Sequence, residues 1–269
     1  MIRVAALDLD GTLLRSDGTV SPTTAGALAR ATASGIKAVI VTARPPRFVK
    51  LLAREAGLTG LAICSNGAIV YDLDSDQTTV HGPLPIGTAR RAARAIATVL
   101  PGAAFAIETG WQAIAGPGYG HLARGENNRV EVATDEQLWS AAGTCVKLLA
   151  WSTAPVTDAL LELVGGALPA DTTVTYSGAA GMLEIHAAGV SKVATLSALC
   201  AEWGVSAAEV VAFGDMPNDL PVLRWAGRAV AVANAHPTVR AIAHEVTASN
   251  DDDGVALVLK GWGSDVPAR

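Results

Sequence analysis

The sequence predicts an α/β protein, with strands and helices alternating around a parallel sheet that carries helices on both faces, and with an α/β domain inserted into it. Short apolar runs of strand length are separated by stretches with helical start and stop signals. Half of the 269 residues are apolar, rich in Ala, Val and Leu and poor in aromatics, which suits helices packed closely on a sheet. The pattern changes character at Gly82-Pro83-Leu84-Pro85 and returns to regular alternation only after residue 186. Residues 1–82 and 187–269 therefore read as one discontinuous domain and 83–186 as the insertion.

Ile2 to Leu7 is an apolar run that stops at Asp8. Ser21-Pro22 offers a helix N-cap with proline at the first helical position, and Gly35 supplies the stop. Ile36 to Val41 reads as a strand buried on both faces. Pro45-Pro46 opens a second helix that ends near Gly57, and Leu61 to Cys64 is a third strand. Ala68 to Tyr71 and Thr78 to His81 read as a small hairpin around Asp72 to Asp76. In the insertion, Ile86, Ala89, Ala93, Ile96 and Leu100 recur at helical spacing, with Arg90, Arg91 and Arg94 on a solvated face. Strand-like pieces follow at 103–108, 111–115, 145–151, 172–176 and 182–186, with a helix near 157–168; parts of 116–143 take no assignment. Alternation resumes with a helix from 191 to 203, a strand Val210 to Phe213, a helix near 218–226 and a strand Ala229 to Ala233. Short helices around 237–243 and 254–260 complete it.

Composition excludes several classes. A net charge of −5 without a basic block argues against a nucleic-acid partner. No apolar stretch reaches the roughly 18 residues of a membrane span, and Asp8 comes too early for a signal peptide. Cys64, Cys145 and Cys200 share no metal-like spacing, so packed thiols in a reduced, cytoplasmic protein are expected.

Asp8-Leu9-Asp10-Gly11-Thr12 follows the first strand. Asp-Gly-Thr alone suits a turn. Two carboxylates one residue apart at the mouth of a buried strand also call for a cation, and Mg2+ is the natural one beside a phosphate. Asp8 can then attack phosphorus, with Asp10 as general acid and base. Thr42, at the end of the second strand, is either a strand-end cap or a donor to a phosphoryl oxygen. Gly214-Asp215-Met216-Pro217-Asn218-Asp219 is either a turn capping the next helix or a loop that completes a metal site. Lys192 begins a helix, where the dipole disfavours a cation; beside an attacking carboxylate it would act as a point charge.

These motifs resemble the haloacid dehalogenase-like superfamily, specifically the Cof-type phosphatases. The match lies in Asp8 to Leu13, Val41-Thr42-Ala43-Arg44, Lys192 and Gly214 to Asp219, in that order. Ser65-Asn66-Gly67-Ala68, Glu184-Ile185 before Gly189-Val190-Ser191-Lys192, and Ser249-Asn250-Asp251 with Asp253-Gly254-Val255-Ala256 add to it. Ala43, Val193-Ala194 and Ala233 stand where the family often has glycine.

The resemblance implies a Rossmann-like three-layer core and a large inserted α/β cap over 83–186. It implies an Mg2+-dependent phosphatase of small phosphorylated metabolites, sugar phosphates or related monoesters, working through an aspartyl phosphate. Asp8 would be nucleophile and metal ligand. Asp10 would shuttle the proton, with its backbone carbonyl on the metal. Asp215 would be a further ligand. Asn218 and Asp219 would orient the loop, with Asp219 also fixing Lys192 or a metal-bound water. Thr42 and Lys192 would hold the phosphoryl oxygens, and Arg44 and Asn66 would face the substrate entrance. A phosphomutase on the same core and a non-catalytic phosphometabolite-binding regulator are the alternatives. In the insertion Trp111, His121, Arg124, Arg129 and Trp151 are candidate substrate contacts, each equally readable as packing or surface. The oligomeric state, monomer or small homo-oligomer, is left open.

Overall fold

The computed structural model describes residues 1–120, 128–141, 143–176 and 179–260. Its first part holds β1 (Val4–Leu7), α1 (Pro22–Ala33), β2 (Lys37–Val41), α2 (Pro46–Ala56), β3 (Leu61–Cys64), β4 (Ile69–Asp72) and β5 (Gln77–Val80). Next come α3 (Ile86–Val99), β6 (Ala104–Glu108), β7 (Ala113–Ala115), β8 (Arg129–Glu131), α4 (Asp135–Ala141), β9 (Lys147–Trp151), α5 (Asp158–Ala167), β10 (Thr172–Thr175) and β11 (Met182–Ala187). The last part holds α6 (Lys192–Glu202), β12 (Val210–Gly214), α7 (Leu220–Trp225), β13 (Arg228–Ala231), α8 (Pro237–Ile242), β14 (Glu245–Val246) and α9 (Gly254–Lys260).

These elements form two compact units. One comprises Met1–Arg44, Phe48–Thr79 and the chain from Ser191 on; the other comprises Pro45–Arg47 and Val80–Val190. The first unit is built on a sheet of order β14-β13-β12-β1-β2-β3-β4-β5. It is parallel from β14 through β3, and β4 turns antiparallel to β3. The fold is thus α/β, with the expected hairpin continuing the parallel sheet at one edge rather than standing apart.

Alternate strand residues feed two helical layers, as a central parallel sheet requires. Val4, Ala6, Val39, Val41 and Ile63 pack with Leu196, Leu199 and Cys200 of α6 and with Val222 and Leu223 of α7. Leu7 and Ile40 point the other way, toward Ala25, Leu28 and Ala29 of α1, and α1 packs on α9. The helix starts follow from capping chemistry. Ser21 Oγ accepts from the Thr24 amide at 3.0 Å ahead of Pro22, and Ser191 Oγ accepts from the Ala194 amide at 3.2 Å.

The second unit is a sheet of order β10-β11-β9-β6-β7-β8, antiparallel except for the β7–β8 pair. One face packs Ile107, Ile114, Leu148, Leu183 and Ile185 against Ala89, Ala92, Ala93 and Ile96 of α3, Leu138 of α4 and Val164 of α5. Arg90, Arg91 and Arg94 are on the exposed face of α3. On the other face of the sheet Lys147 forms a buried ion pair with Glu184, and His186 Nε2 lies 3.0 Å from Thr175 Oγ1. The two ends of this excursion meet: a Cβ on Gly82 would come within 2.1 Å of Val190 Cγ2.

Element ends differ from the sequence reading by a residue or two, as caps and fraying dictate. Larger differences fall where the residues carry little periodic signal. Within 116–143 stand β8, three residues long, and the short helix α4; β14 has two residues. All three cysteines are buried and unbridged. No described helix is long and apolar enough to cross a membrane.

Candidate active site

The parallel strands of the first unit end in step, with Leu7 level with Ile40 on one side and Phe213 on the other. Asp8, Thr42 and Asp215 each follow directly, so they share the carboxyl edge where open α/β sheets bind ligands. Asp8 is fixed by its amide, which donates to the Phe213 carbonyl at 3.2 Å. Leu9–Leu13 then makes one widened turn, in which the Leu13 and Leu14 amides donate to the carbonyls of Asp8 and Leu9. Gly11 occupies φ +75°, and a Cβ there would lie 2.4 Å from Asp215 Oδ2. Only glycine satisfies both the backbone and the carboxylate beside it.

Asp8, Asp215 and Asp219 each bring a carboxylate oxygen within 4.8 Å of the others. Lys192 Nζ donates to Asp8 Oδ1 at 2.6 Å and to Asp219 Oδ1 at 2.7 Å, and all three groups are buried. Asp219 Oδ2 accepts from the amides of Asp215 and Met216, each at 3.2 Å, which draws the 214–219 loop around it. Asp215 Oδ1 accepts from the Thr12 hydroxyl at 3.1 Å.

Burial raises the pKa of Asp8 well above the ordinary carboxylate range; the Asp219 charge adds to this and Lys192 opposes it. Asp215 is raised to about 6, first by burial and then by Asp219. Burial works to lower the Lys192 pKa, but Asp219 and Asp8 outweigh it and hold the ammonium above its usual value. One lysine thus faces three clustered carboxylates. An oxygen-only donor set with surplus negative charge fits a hard divalent cation such as Mg2+.

The remaining candidates take varied places. The Asp10 carboxylate lies outside the cluster: it is exposed and accepts both Arg44 Nε at 2.8 Å and Arg44 Nη2 at 2.5 Å. Arg44 is therefore engaged with Asp10 across the strand ends. Thr42 is buried, and its Oγ1 accepts from the Arg44 amide at 3.1 Å, the strand-end cap among its two readings. Asn66 is buried in a left-handed turn after β3, and Asn218 is half-buried in the 217–219 turn.

Sequence reasoning missed Asn234, whose Nδ2 donates to the Gly11 carbonyl at 2.8 Å while its Oδ1 accepts from the Asn250 amide at 3.0 Å. An asparagine three residues past the end of β13, after Val232 and Ala233, was the available signal. In the second unit, Arg129 Nη2 donates to the Tyr119 carbonyl at 2.6 Å, and Trp151 packs beside Tyr119, Leu149 and Met182. His121 and Arg124 lie outside the described residues. The buried Lys147–Glu184 pair and His186 were also missed as a group; a lysine and a histidine inside apolar strands were the sign.

A widened turn after the first strand, buried carboxylates around a lysine and a parallel sheet ending beneath them define an α/β protein with an ionic, oxygen-rich site at the carboxyl edge of its sheet. Comparison with known proteins agrees. The chain belongs to the haloacid dehalogenase-like hydrolase family, whose sequence profile matches residues 5–259. It is 30% identical over 269 residues to pyridoxal phosphate phosphatase YbhA of Escherichia coli, covering 96% of this chain and 97% of that protein. It is 27% identical over 279 residues to 5-amino-6-(5-phospho-D-ribitylamino)uracil phosphatase YitU of Bacillus subtilis, covering 96% of each. Among solved structures, a haloacid dehalogenase-like hydrolase from Bacteroides thetaiotaomicron superposes with a TM-score of 0.81 at 26% identity, covering 97% of this chain and 100% of that one.

Proposed function

We propose that this enzyme is an Mg2+-dependent phosphatase that hydrolyses small phosphorylated metabolites through an aspartyl phosphate on Asp8. The observation that carries the reading is the Asp8–Lys192–Asp219 arrangement, a buried carboxylate kept beside a cation at 2.6 Å and next to further carboxylates. A packing role alone gains nothing from such a cluster, because removing these ions from water costs several kcal/mol each.

In this reading Asp8 attacks phosphorus in line, and the bond from phosphorus to the ester oxygen breaks. Asp10 donates a proton to the departing alkoxide, then takes one from the water that attacks the aspartyl phosphate and restores Asp8. Arg44 must exchange Asp10 for substrate during this cycle, since it holds both Asp10 oxygens in the resting state. Lys192 and Thr42 hold the phosphoryl oxygens, and Arg44, Asn66 and Asn218 contact the substrate. Asp8, Asp215 and Asp219, with the Asp10 backbone carbonyl, would hold Mg2+, which when bound neutralises charge on the phosphoryl group.

Residues 83–186 serve in this reading as the cap that sets substrate choice. The names of YbhA and YitU, both phosphatases of small monoesters, support the substrate class. The test is phosphate release from p-nitrophenyl phosphate with Mg2+ and with chelator, in wild type and Asp8→Asn. Release that depends on Mg2+ and is lost in Asp8→Asn is expected; equal rates in wild type and variant overturn the proposal.

A further inference from the structure

We infer that the turn Ser65–Asn66–Gly67 is a clasp that sets Lys192 against Asp8, so that Gly67 and Thr195 are positioning residues for the phosphoryl site. The kinetic part of this inference rests on the phosphatase reading; the geometric part does not.

Three successive residues after β3 take left-handed backbone angles, with φ of +51° at Ser65, +57° at Asn66 and +107° at Gly67. Serine enters this region only under constraint. Its own hydroxyl does not supply that constraint, because Ser65 Oγ is buried and meets no hydrogen-bond partner among the described residues. The constraint comes from the backbone on one side and α6 on the other. The Ser65 amide donates to the Arg44 carbonyl at 2.9 Å and the Asn66 amide to the Thr42 carbonyl at 3.1 Å. The Gly67 carbonyl accepts from Thr195 Oγ1, a buried hydroxyl one turn along α6 from Lys192, at 2.8 Å.

Gly67 also lies directly on the start of α6. A Cβ at this position would sit 2.3 Å from the Ser191 carbonyl oxygen, 2.5 Å from its carbon and 3.1 Å from the Lys192 nitrogen. The turn thus ties the segment bearing Thr42 and Arg44 to the first residue of the helix bearing Lys192. A shift of that first turn carries the ammonium away from Asp8, and a misplacement of about 1 Å in a positioned group can cost a hundredfold in rate.

The test uses the full chain with Thr195→Val, which removes the hydroxyl and keeps the shape, Thr195→Ser, which keeps the hydroxyl, and Gly67→Ala. Two readouts are taken: hydrolysis of p-nitrophenyl phosphate, and limited acetylation of lysines by acetic anhydride followed by mass spectrometry. The exposed Lys37 and Lys260 serve as internal references. Thr195→Val, compared with wild type at equal folded fraction by circular dichroism because unfolding alone lowers apparent kcat at unchanged KM, is expected to raise Lys192 labelling about fivefold and lower kcat about tenfold with KM within twofold. Thr195→Ser should stay within twofold of wild type on both readouts. Gly67→Ala should lower kcat about a hundredfold; if it does not fold, the Thr195 pair decides. Folded Thr195→Val with wild-type kcat and labelling overturns the clasp, as does failure of Thr195→Ser to restore both. Shifted labelling in a chain that hydrolyses no phosphate ester in wild type sustains the clasp and sinks the phosphatase reading.

Discussion

Replacing Lys192 by Met removes the cation from between two buried carboxylates, and the outcome follows from the distances. At an effective dielectric of about 20, unit charges about 3 Å apart attract by roughly 5–6 kcal/mol, so the two contacts hold the ammonium by roughly 11 kcal/mol before desolvation. Withdrawing the three ions from water offsets much of this, which leaves about 3–5 kcal/mol lost when one partner of a buried pair is deleted. For a protein of this size that corresponds to a fall in Tm of roughly 6–20 °C. Thermal unfolding in chelator, followed by circular dichroism, should show it. Asp219→Asn added to Lys192→Met should recover part of the loss, because one stranded carboxylate is gone. Mg2+ should recover more in Lys192→Met than in wild type, since the cluster then lacks its internal cation. The loss should shrink on acidification, because a protonated Asp8 needs no counter-charge. A variant that melts within about 1 °C of wild type in chelator, with no added response to Mg2+, would refute the reasoning.

Gly11→Ala places a Cβ 2.4 Å from Asp215 Oδ2 at φ +75°, so kcat on an aryl phosphate should fall more than tenfold while the fold survives; unchanged kcat counts against the proposed site. Asn234→Ala removes the bond to the Gly11 carbonyl and the one from the Asn250 amide. It should cost about 1–3 kcal/mol in denaturant unfolding, with lowered kcat. His186 is buried, its Nδ1 has no partner among the described residues, and burial lowers its pKa to about 4. The unfolded chain therefore binds the extra proton between pH 6.5 and 4. Stability from neutral His186 is whole above pH 6.5 and is lost as pH falls through that window, by up to roughly 3 kcal/mol. His186→Phe should flatten that part of the pH–stability curve relative to wild type, and parallel curves would contradict the assignment.

The sequence was most informative where local chemistry and fold point the same way. Ser21-Pro22 and Ser191 open helices because a hydroxyl cap satisfies free amides wherever the helix lies. Apolar runs ending at Leu7, Val41 and Phe213 show which polar residues emerge together, since parallel strands bring their carboxyl ends to one edge. The contact of Arg44 with Asp10 was not legible, because it depends on the relative twist of β1 and β2 and on a free choice of arginine rotamer. The left-handed backbone of Ser65 and Asn66 was hidden for a related reason: neither residue type demands it, and their amides are held by the carbonyls of Arg44 and Thr42 while Gly67 beside them packs on Ser191 and Thr195, far along the chain. Lys147 and Glu184 each look like a surface residue in an apolar strand until β9 and β11 pair and bury them together. β8 and β14 are too short for any periodicity to register.

The meeting of Gly82 with Val190 bears on how the chain assembles. The residues of the first unit are separated by an excursion of roughly 110 residues, and closing a flexible loop of that length costs about 3 kcal/mol more than closing one of a few residues. Once the second unit has folded, its ends are already together and the outer segments are joined as if by a short tether. The expected order is that residues 80–190 fold first and β12 docks beside β1 afterwards, with little further loop-closure cost. A pulse-labelled hydrogen-exchange experiment would register this as protection in β6, β9 and β11 ahead of β1 and β12.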